Sequence, residues 1–204
     1  MKKAESIEEI ELFINNEEED GVFAISLVES PAIEENFIAL SNYKMDLKVV
    51  DEERRIVVGL ALVPEKRIYR KMKPKGSEEE KEFNIFFSKE TVAKTAELYM
   101  KNLHLNNVTS EHERPVQGAS VIESWTVEDP KKDKTAHYNL SAVEGAWAVM
   151  MKIYNDDEWE KVKAGEYKGF SIEGLYDGLD QLNASQELTE EKQLEEIAKI
   201  LGIK

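Results

Sequence analysis

The spacing of apolar residues changes several times along the chain, and each change marks an element. Residues 55–63, RIVVGLALV, form a nearly continuous apolar run stopped by Pro64, the pattern of a strand buried on both faces. Gly59 inside that run predicts a bulge or a close backbone approach. Upstream, GVFAISLVESPAIEENFIALS places β-branched and aromatic residues before Ser30-Pro31, which predicts a strand and then a return loop. Phe83, Ile85 and Phe87 alternate as a short strand, and Ser88 offers an N-cap to a helix whose Val92, Ala96, Tyr99 and Leu103 share one face. From 107 to 128 the chain reads as extended, interrupted by Pro115 and Gly118, and WAVMMKI at 147–153 gives another strand. Asn155, the acids 156–158, Lys161, Lys163 and Gly165 then obey the capping and dipole preferences of a second helix, with Trp159 and Val162 as inward anchors.

Between these elements, KMKPKGSEEEKE predicts an exposed loop or hairpin tip. At the start, Ser6 and Glu9 have capping-box spacing, and Ile10, Phe13 and Ile14 predict a short amphipathic helix followed by an acidic loop. After Gly178 the sequence DQLNASQ turns polar, and Leu194, Ile197 and Leu201 predict a last amphipathic helix. The expected organisation is an acidic N-terminal extension (1–20), a central domain (21–180), and a linker with a C-terminal helix (181–204). Strands and helices do not alternate regularly, so the expected class is α+β, a mainly antiparallel, barrel-like β core with surrounding helices.

Charge narrows the function. The 204 residues carry 27 Lys+Arg against 42 Asp+Glu, a formal charge of −15, which repels a phosphate backbone and argues against nucleic-acid or anionic-membrane binding. No run approaches the roughly 20 apolar residues of a membrane span, and MKKAESIEEIELF lacks a secretory apolar segment. A soluble, intracellular protein is expected. Cysteine is absent, so chemistry must come from hydroxyls, carboxylates, amines or three histidines. A carboxylate-rich metal protein is a weak reading, because neither His-x-x-x-His nor a calcium-loop spacing occurs; no metal or cofactor is expected.

Of the histidines, His104 sits at a helix end, where the dipole explains it, and His137 lies in a polar loop. His112 falls inside the extended segment VTSEHERP. Eleven positions downstream, the alternation of ASVIESWTVE assigns Glu123 to the apolar face with Val121 and Trp125. A carboxylate there needs a partner. His112 from a neighbouring strand would serve, and a structural ion pair with Arg114 or Arg55 would serve equally. In KGFSIEGLYDG, Gly169 and Gly174 flank Ser171 and leave room for a substrate backbone, although the spacing is not that of a G-x-S-x-G elbow. A tight strand needing glycines for packing is the competing explanation.

The ordered blocks GVFAISLVESPAIEENF, VVGLALVPEKRIYR, the His112 segment leading into ESW, GAWAVMMKI and GEYKGFSIEG resemble the phage XkdF-like putative serine protease family, related to prohead (capsid maturation) proteases with a herpesvirus-assemblin-like fold. The resemblance spans about residues 21–178. It implies a serine endopeptidase with Ser171 as nucleophile and His112 as base. It also implies scaffolding protein, a capsid-protein propeptide and the protease itself as substrates, inside the procapsid in the bacterial host cytoplasm, with a homo-oligomer possible. Assemblins complete the triad with a second histidine, and none follows Ser171 here. Glu123 is the expected third member by its face, with Glu173 and Asp177, which share the strand parity of Ser171, as alternatives. A rival reading is a catalytically inactive capsid-assembly or scaffold-like binding protein that keeps the fold and uses its acidic and amphipathic ends for contact.

Overall fold

A computed structural model of the chain describes residues 7–29, 48–52, 54–73 and 80–179. The continuous apolar run forms β4 (Ile56–Leu62), and every one of its residues is buried. It lies between β3 (Lys48–Asp51) and β10 (Trp147–Ile153), and β9 (Ala119–Thr126) completes that sheet in the order β3-β4-β10-β9. Both faces of this sheet are covered. Val57, Ala61, Val149 and Met151 join the main core on one side. Ile56, Val58, Leu60, Ala148 and Met150 form a second cluster on the other, with Val127 and Leu140. The register slip in β4 falls at Ala61, opposite Trp147 and Ala148, rather than at Gly59.

A second sheet has the order β11-β2-β7-β8, from β2 (Gly21–Val28), β7 (Val108–Ser110), β8 (Arg114–Pro115) and β11 (Gly169–Leu175). The third is β1-β6-β5, from β1 (Glu8–Leu12), β5 (Ile68–Met72) and β6 (Lys81–Phe87). The fold is therefore mixed α+β and mostly sheet. Among the described residues the three sheets do not close into a barrel, a correction to the barrel-like expectation. Two of the pairings, β1 with β6 and β2 with β7, are parallel.

The N-terminal segment is a strand, not the expected helix. Ile10 and Leu12 point into the core while Glu9 and Glu11 face out, a period of two that competes with the helical spacing of Ile10, Phe13 and Ile14. Pairing with the apolar β6 decides between them. Helix α1 (Lys89–Lys101) starts where predicted, with Ser88 Oγ accepting from Thr91 N at 3.3 Å. It ends before Leu103, which is left-handed (φ 58°) and 77% exposed, so Leu103 leaves the apolar face. A one-turn helix, α2 (Lys134–His137), precedes β10. Helix α3 (Asp156–Ala164) has both predicted caps, Asn155 and a left-handed Gly165. Strands β5 and β6 form the predicted hairpin, with the tip at 74–79 outside the described residues. The expected return loop after Ser30 and the C-terminal helix also lie outside them. Among the described residues no helix is long and apolar enough to cross a membrane.

Candidate active site

The site is built on the face of the β11-β2-β7-β8 sheet that turns away from the main core. Ile25, Leu27, Val108 and Phe170 point into that core, so alternation puts Ser26, Thr109 and Ser171 on the opposite face. The register then aligns them, because Ser171 lies opposite Ser26 and Ser26 opposite Thr109. Three hydroxyl side chains thus run in a row across β11, β2 and β7. Glu173, two residues from Ser171, shares its face, since the register slip in β11 comes only after Glu173.

Above this row sits the turn that joins β7 to β8. Glu113 N donates to Ser110 O at 3.0 Å, and the two residues between them, Glu111 (φ 53°) and His112 (φ 59°), are both left-handed. Such a pair of positions favours Asn and Gly, and each ordinary side chain there costs about 1–2 kcal/mol. Three hydrogen bonds fasten the turn to the end of β2. Glu111 N donates to Leu27 O at 3.1 Å, Glu29 N donates to Glu111 Oε1 at 2.7 Å, and His112 N donates to Ser26 Oγ at 3.0 Å. The strained conformation is over-determined, and it holds the imidazole over the hydroxyl row.

The ring finds its acid there. His112 Nδ1 lies 3.1 Å from Glu173 Oε1, and the same oxygen accepts a short bond from Thr109 Oγ1. The side chains of His112 and Glu173 are 17% and 20% exposed, enough shelter for the pair to be firm without sealing it from solvent. A carboxylate on Nδ1 fixes the tautomer with its proton on that nitrogen and leaves Nε2 to accept another. Among the described residues neither Nε2 nor Ser171 Oγ makes a hydrogen bond, and Ser171 is 8% exposed. Ser26 is fully buried and its hydroxyl is occupied by His112 N, so of the two facing serines only Ser171 retains an open side.

The structure brings together Ser171, His112 and Glu173, and places Glu123 elsewhere. Glu123 lies on β9 in the other sheet, 42% exposed, with Oε2 at 2.5 Å from Lys134 Nζ. The reason is a bulge. Met150 pairs with Glu123 and Met151 with Val121, leaving Ile122 as the extra residue. One inserted residue reverses the alternation beyond it. Val121 therefore faces the main core, Ser124 takes over that side by accepting from Trp147 Nε1 at 2.8 Å, and Glu123 turns outward. Arg55 and Arg114, the other partners considered for it, bind Asp156 and Glu158. Asp177 is also committed, its Oδ1 accepting from Gly178 N at 2.7 Å beside an isolated bridge to Phe13. His104 Nδ1 meets Asn107 Nδ2 at 3.1 Å, and exposed His137 packs edge-on against Tyr138.

Sequence reasoning missed the polar cluster behind the turn. Buried Ser110 and Tyr167 bring their hydroxyls to 2.7 Å, and Tyr167 donates to Glu158 Oε2 at 2.5 Å. Arg114 reaches Glu158 Oε1 at 2.7 Å, and Lys161 lies 3.3 Å from it. Burial alone raises the Glu158 pKa, but the bonds from Tyr167, Arg114 and Lys161 outweigh it and hold the carboxyl below its ordinary value. Burial and then the adjacent carboxylate push Tyr167 up. The acids 156–158 read as helix-dipole residues in sequence, and nothing in the pattern distinguishes the one that turns inward. Thr109 was missed for a similar reason, since a lone Thr in a three-residue strand carries no signal.

An open groove of about 590 Å³ is lined in part by Glu173, Thr109, Ala24, Phe23, Gly118 and Ser120. Phe23 is the unpaired residue of a bulge in β2 and is 43% exposed. Among the described residues no three His, Asp or Glu side chains are grouped to hold a metal ion.

Residues 44–180, about two thirds of the chain, match the sequence profile of a family described as "Putative phage serine protease XkdF". The chain belongs to this family. His112, Ser171 and Glu173 all fall within the matched segment of this XkdF-family chain, whereas Ser26 on β2 lies ahead of it. No curated protein and no solved structure matches the chain.

Proposed function

We propose that the chain is a serine endopeptidase of phage head maturation, with Ser171 as nucleophile, His112 as general base and Glu173 as the acid that orients it. The contact of His112 Nδ1 with Glu173 at 3.1 Å, two residues from Ser171 on one strand face, carries this reading. Positions i and i+2 of a strand are about 6.7 Å apart, a span that one imidazole can bridge by its two nitrogens. Glu173 takes the role that sequence alone assigned to Glu123. In the resting geometry the ring's one hydrogen bond among the described residues is to the acid, and substrate entry brings Nε2 onto Ser171 Oγ, as catalytic bonds often tighten on binding.

The reaction is acyl transfer. Ser171 Oγ attacks the scissile carbonyl carbon as its proton passes to His112 Nε2, and Glu173 stabilises the imidazolium. The tetrahedral intermediate collapses, the C–N bond breaks, and His112 returns the proton to the leaving amine. Water then hydrolyses the acyl-enzyme by the same relay. The proposed substrates are scaffolding protein, a propeptide of the major capsid protein and the protease itself. The proposed setting is the procapsid in the host cytoplasm, where confinement supplies local concentration.

A Ser171 hydroxyl unbonded among the described residues is what an inactive, assembly-only relative would also show. Co-expression with the phage's head proteins separates the two. The protease truncates them, and Ser171→Ala or His112→Ala stops truncation while leaving the fold intact. Full-length head proteins held in stable complexes by the unmodified chain would instead establish the binding protein.

A further inference from the structure

The cluster behind the histidine turn has no part in the three-residue relay, yet it grips both ends of the segment that carries the base. Ser110 is the last residue of β7 and Arg114 the first of β8, so they bracket His112 by two residues on either side. Both lead to one carboxylate. Arg114 binds Glu158 directly at 2.7 Å, and Ser110 reaches it through the Tyr167 hydroxyl, 2.7 Å from Ser110 Oγ. Tyr167 in turn stands two residues before β11, and Lys168 N between them donates to Val28 O at 2.9 Å. The base's turn and the lead-in to the nucleophile's strand therefore share a single buried anchor on α3, which is 4% exposed.

On the reading that Ser171 and His112 are the catalytic pair, we infer that Glu158 and Tyr167 are positioning residues that set the distance between them. The turn has two left-handed side chains and would otherwise relax toward less strained conformations. Clamping Ser110 and Arg114 to one fixed carboxylate prevents that. Tyr167 is the part of the clamp that senses both strands, because its hydroxyl is bonded on one side to β7 and its backbone leads into β11.

The test is hydrolysis of p-nitrophenyl acetate by the full chain. Ser171 Oγ takes the acetyl group, p-nitrophenolate leaves and is read by absorbance, and water regenerates the serine. Tyr167→Phe keeps the ring and removes the bonds to Ser110 and Glu158. The expected result is a kcat lower by about 10- to 100-fold, the scale of a sub-ångström to ångström misplacement, with KM within about twofold. In a His112→Ala background the same change should have no further effect, because the clamp acts through the histidine. Unchanged kcat in Tyr167→Phe, or an equal loss with and without His112, would overturn the inference. If Tyr167→Phe does not fold, Glu158→Gln, which keeps the volume and one acceptor oxygen, is read by the same two criteria. Ser171→Ala keeps the outcomes apart: hydrolysis surviving in that variant removes the catalytic reading itself, whereas its loss alongside an unaffected Tyr167→Phe removes only the clamp.

Discussion

Glu123 and Glu173 are both strand carboxylates on one face of a sheet, and their partners give them opposite roles. Glu123 holds an exposed lysine, an arrangement worth little in water, so Glu123→Gln should leave proteolysis unchanged. Glu173→Gln keeps the shape but lets the amide favour the wrong imidazole tautomer, and cleavage should fall by about 10² to 10⁴. Steady-state cleavage by the two variants, measured side by side, checks both statements. His112 supplies a second prediction. Asn, whose short polar side chain can bond the local backbone, visits φ near 59° more readily than a bulky ring, so His112→Asn should melt no lower than the parent despite losing all activity. A melting temperature several degrees lower would show that the turn is held by the imidazole rather than strained by it. At this scale the sequence offered Ser171 through its flanking glycines and His112 through its extended context, and only the family resemblance attached roles to them. It could not separate Glu123 from His112, because that separation hangs on one inserted residue at Ile122 whose bulge leaves no mark in the pattern.

The strands and helices carry predictions of their own. On α3 the buried Glu158 carboxyl is held below its ordinary 4.5 by Tyr167, Arg114 and Lys161 against the opposing push of burial. A group depressed in the folded state contributes its full stability above the unfolded pKa and loses it as pH falls through the folded one. Stability should therefore decline as pH drops below about 4.5, and Glu158→Gln should flatten that part of the profile, as thermal melts across pH would show. On β11 a Cβ at Gly174 would meet Gly21 O at 2.5 Å. Gly174→Ala should then cost about 1–3 kcal/mol through overpacking, visible as a lower melting midpoint. Most elements were legible because their cues are local: the apolar run of β4, the alternation of β6 and the caps of α1 and α3. Strand β1 was not, since both periods fit ELF-like spacing around Ile10 and only the distant β6 selects one.

For the molecule as a whole, the family match begins at residue 44, yet β1 and β2 before it are structural members of two sheets. Among the described residues β2 is the only strand paired to β11, and it also supplies the Ser26 hydroxyl that holds His112. A chain trimmed to 44–180 should therefore fail to fold, while one trimmed after residue 180 keeps every pairing described here. Topology of this kind was beyond the sequence, because parallel pairing of β2 with β7 joins segments some eighty residues apart through no local signal. The same long-range pairing is what brings a hydroxyl, an imidazole and a carboxylate together. Their cooperation is tested most directly by labelling the full chain with a fluorophosphonate and locating the adduct by mass spectrometry. One adduct is expected, on Ser171, formed as Oγ displaces fluoride, abolished in His112→Ala and slowed in Glu173→Gln but not in Glu123→Gln. Labelling at another residue, or at Ser171 with equal speed when His112 is gone, would contradict it.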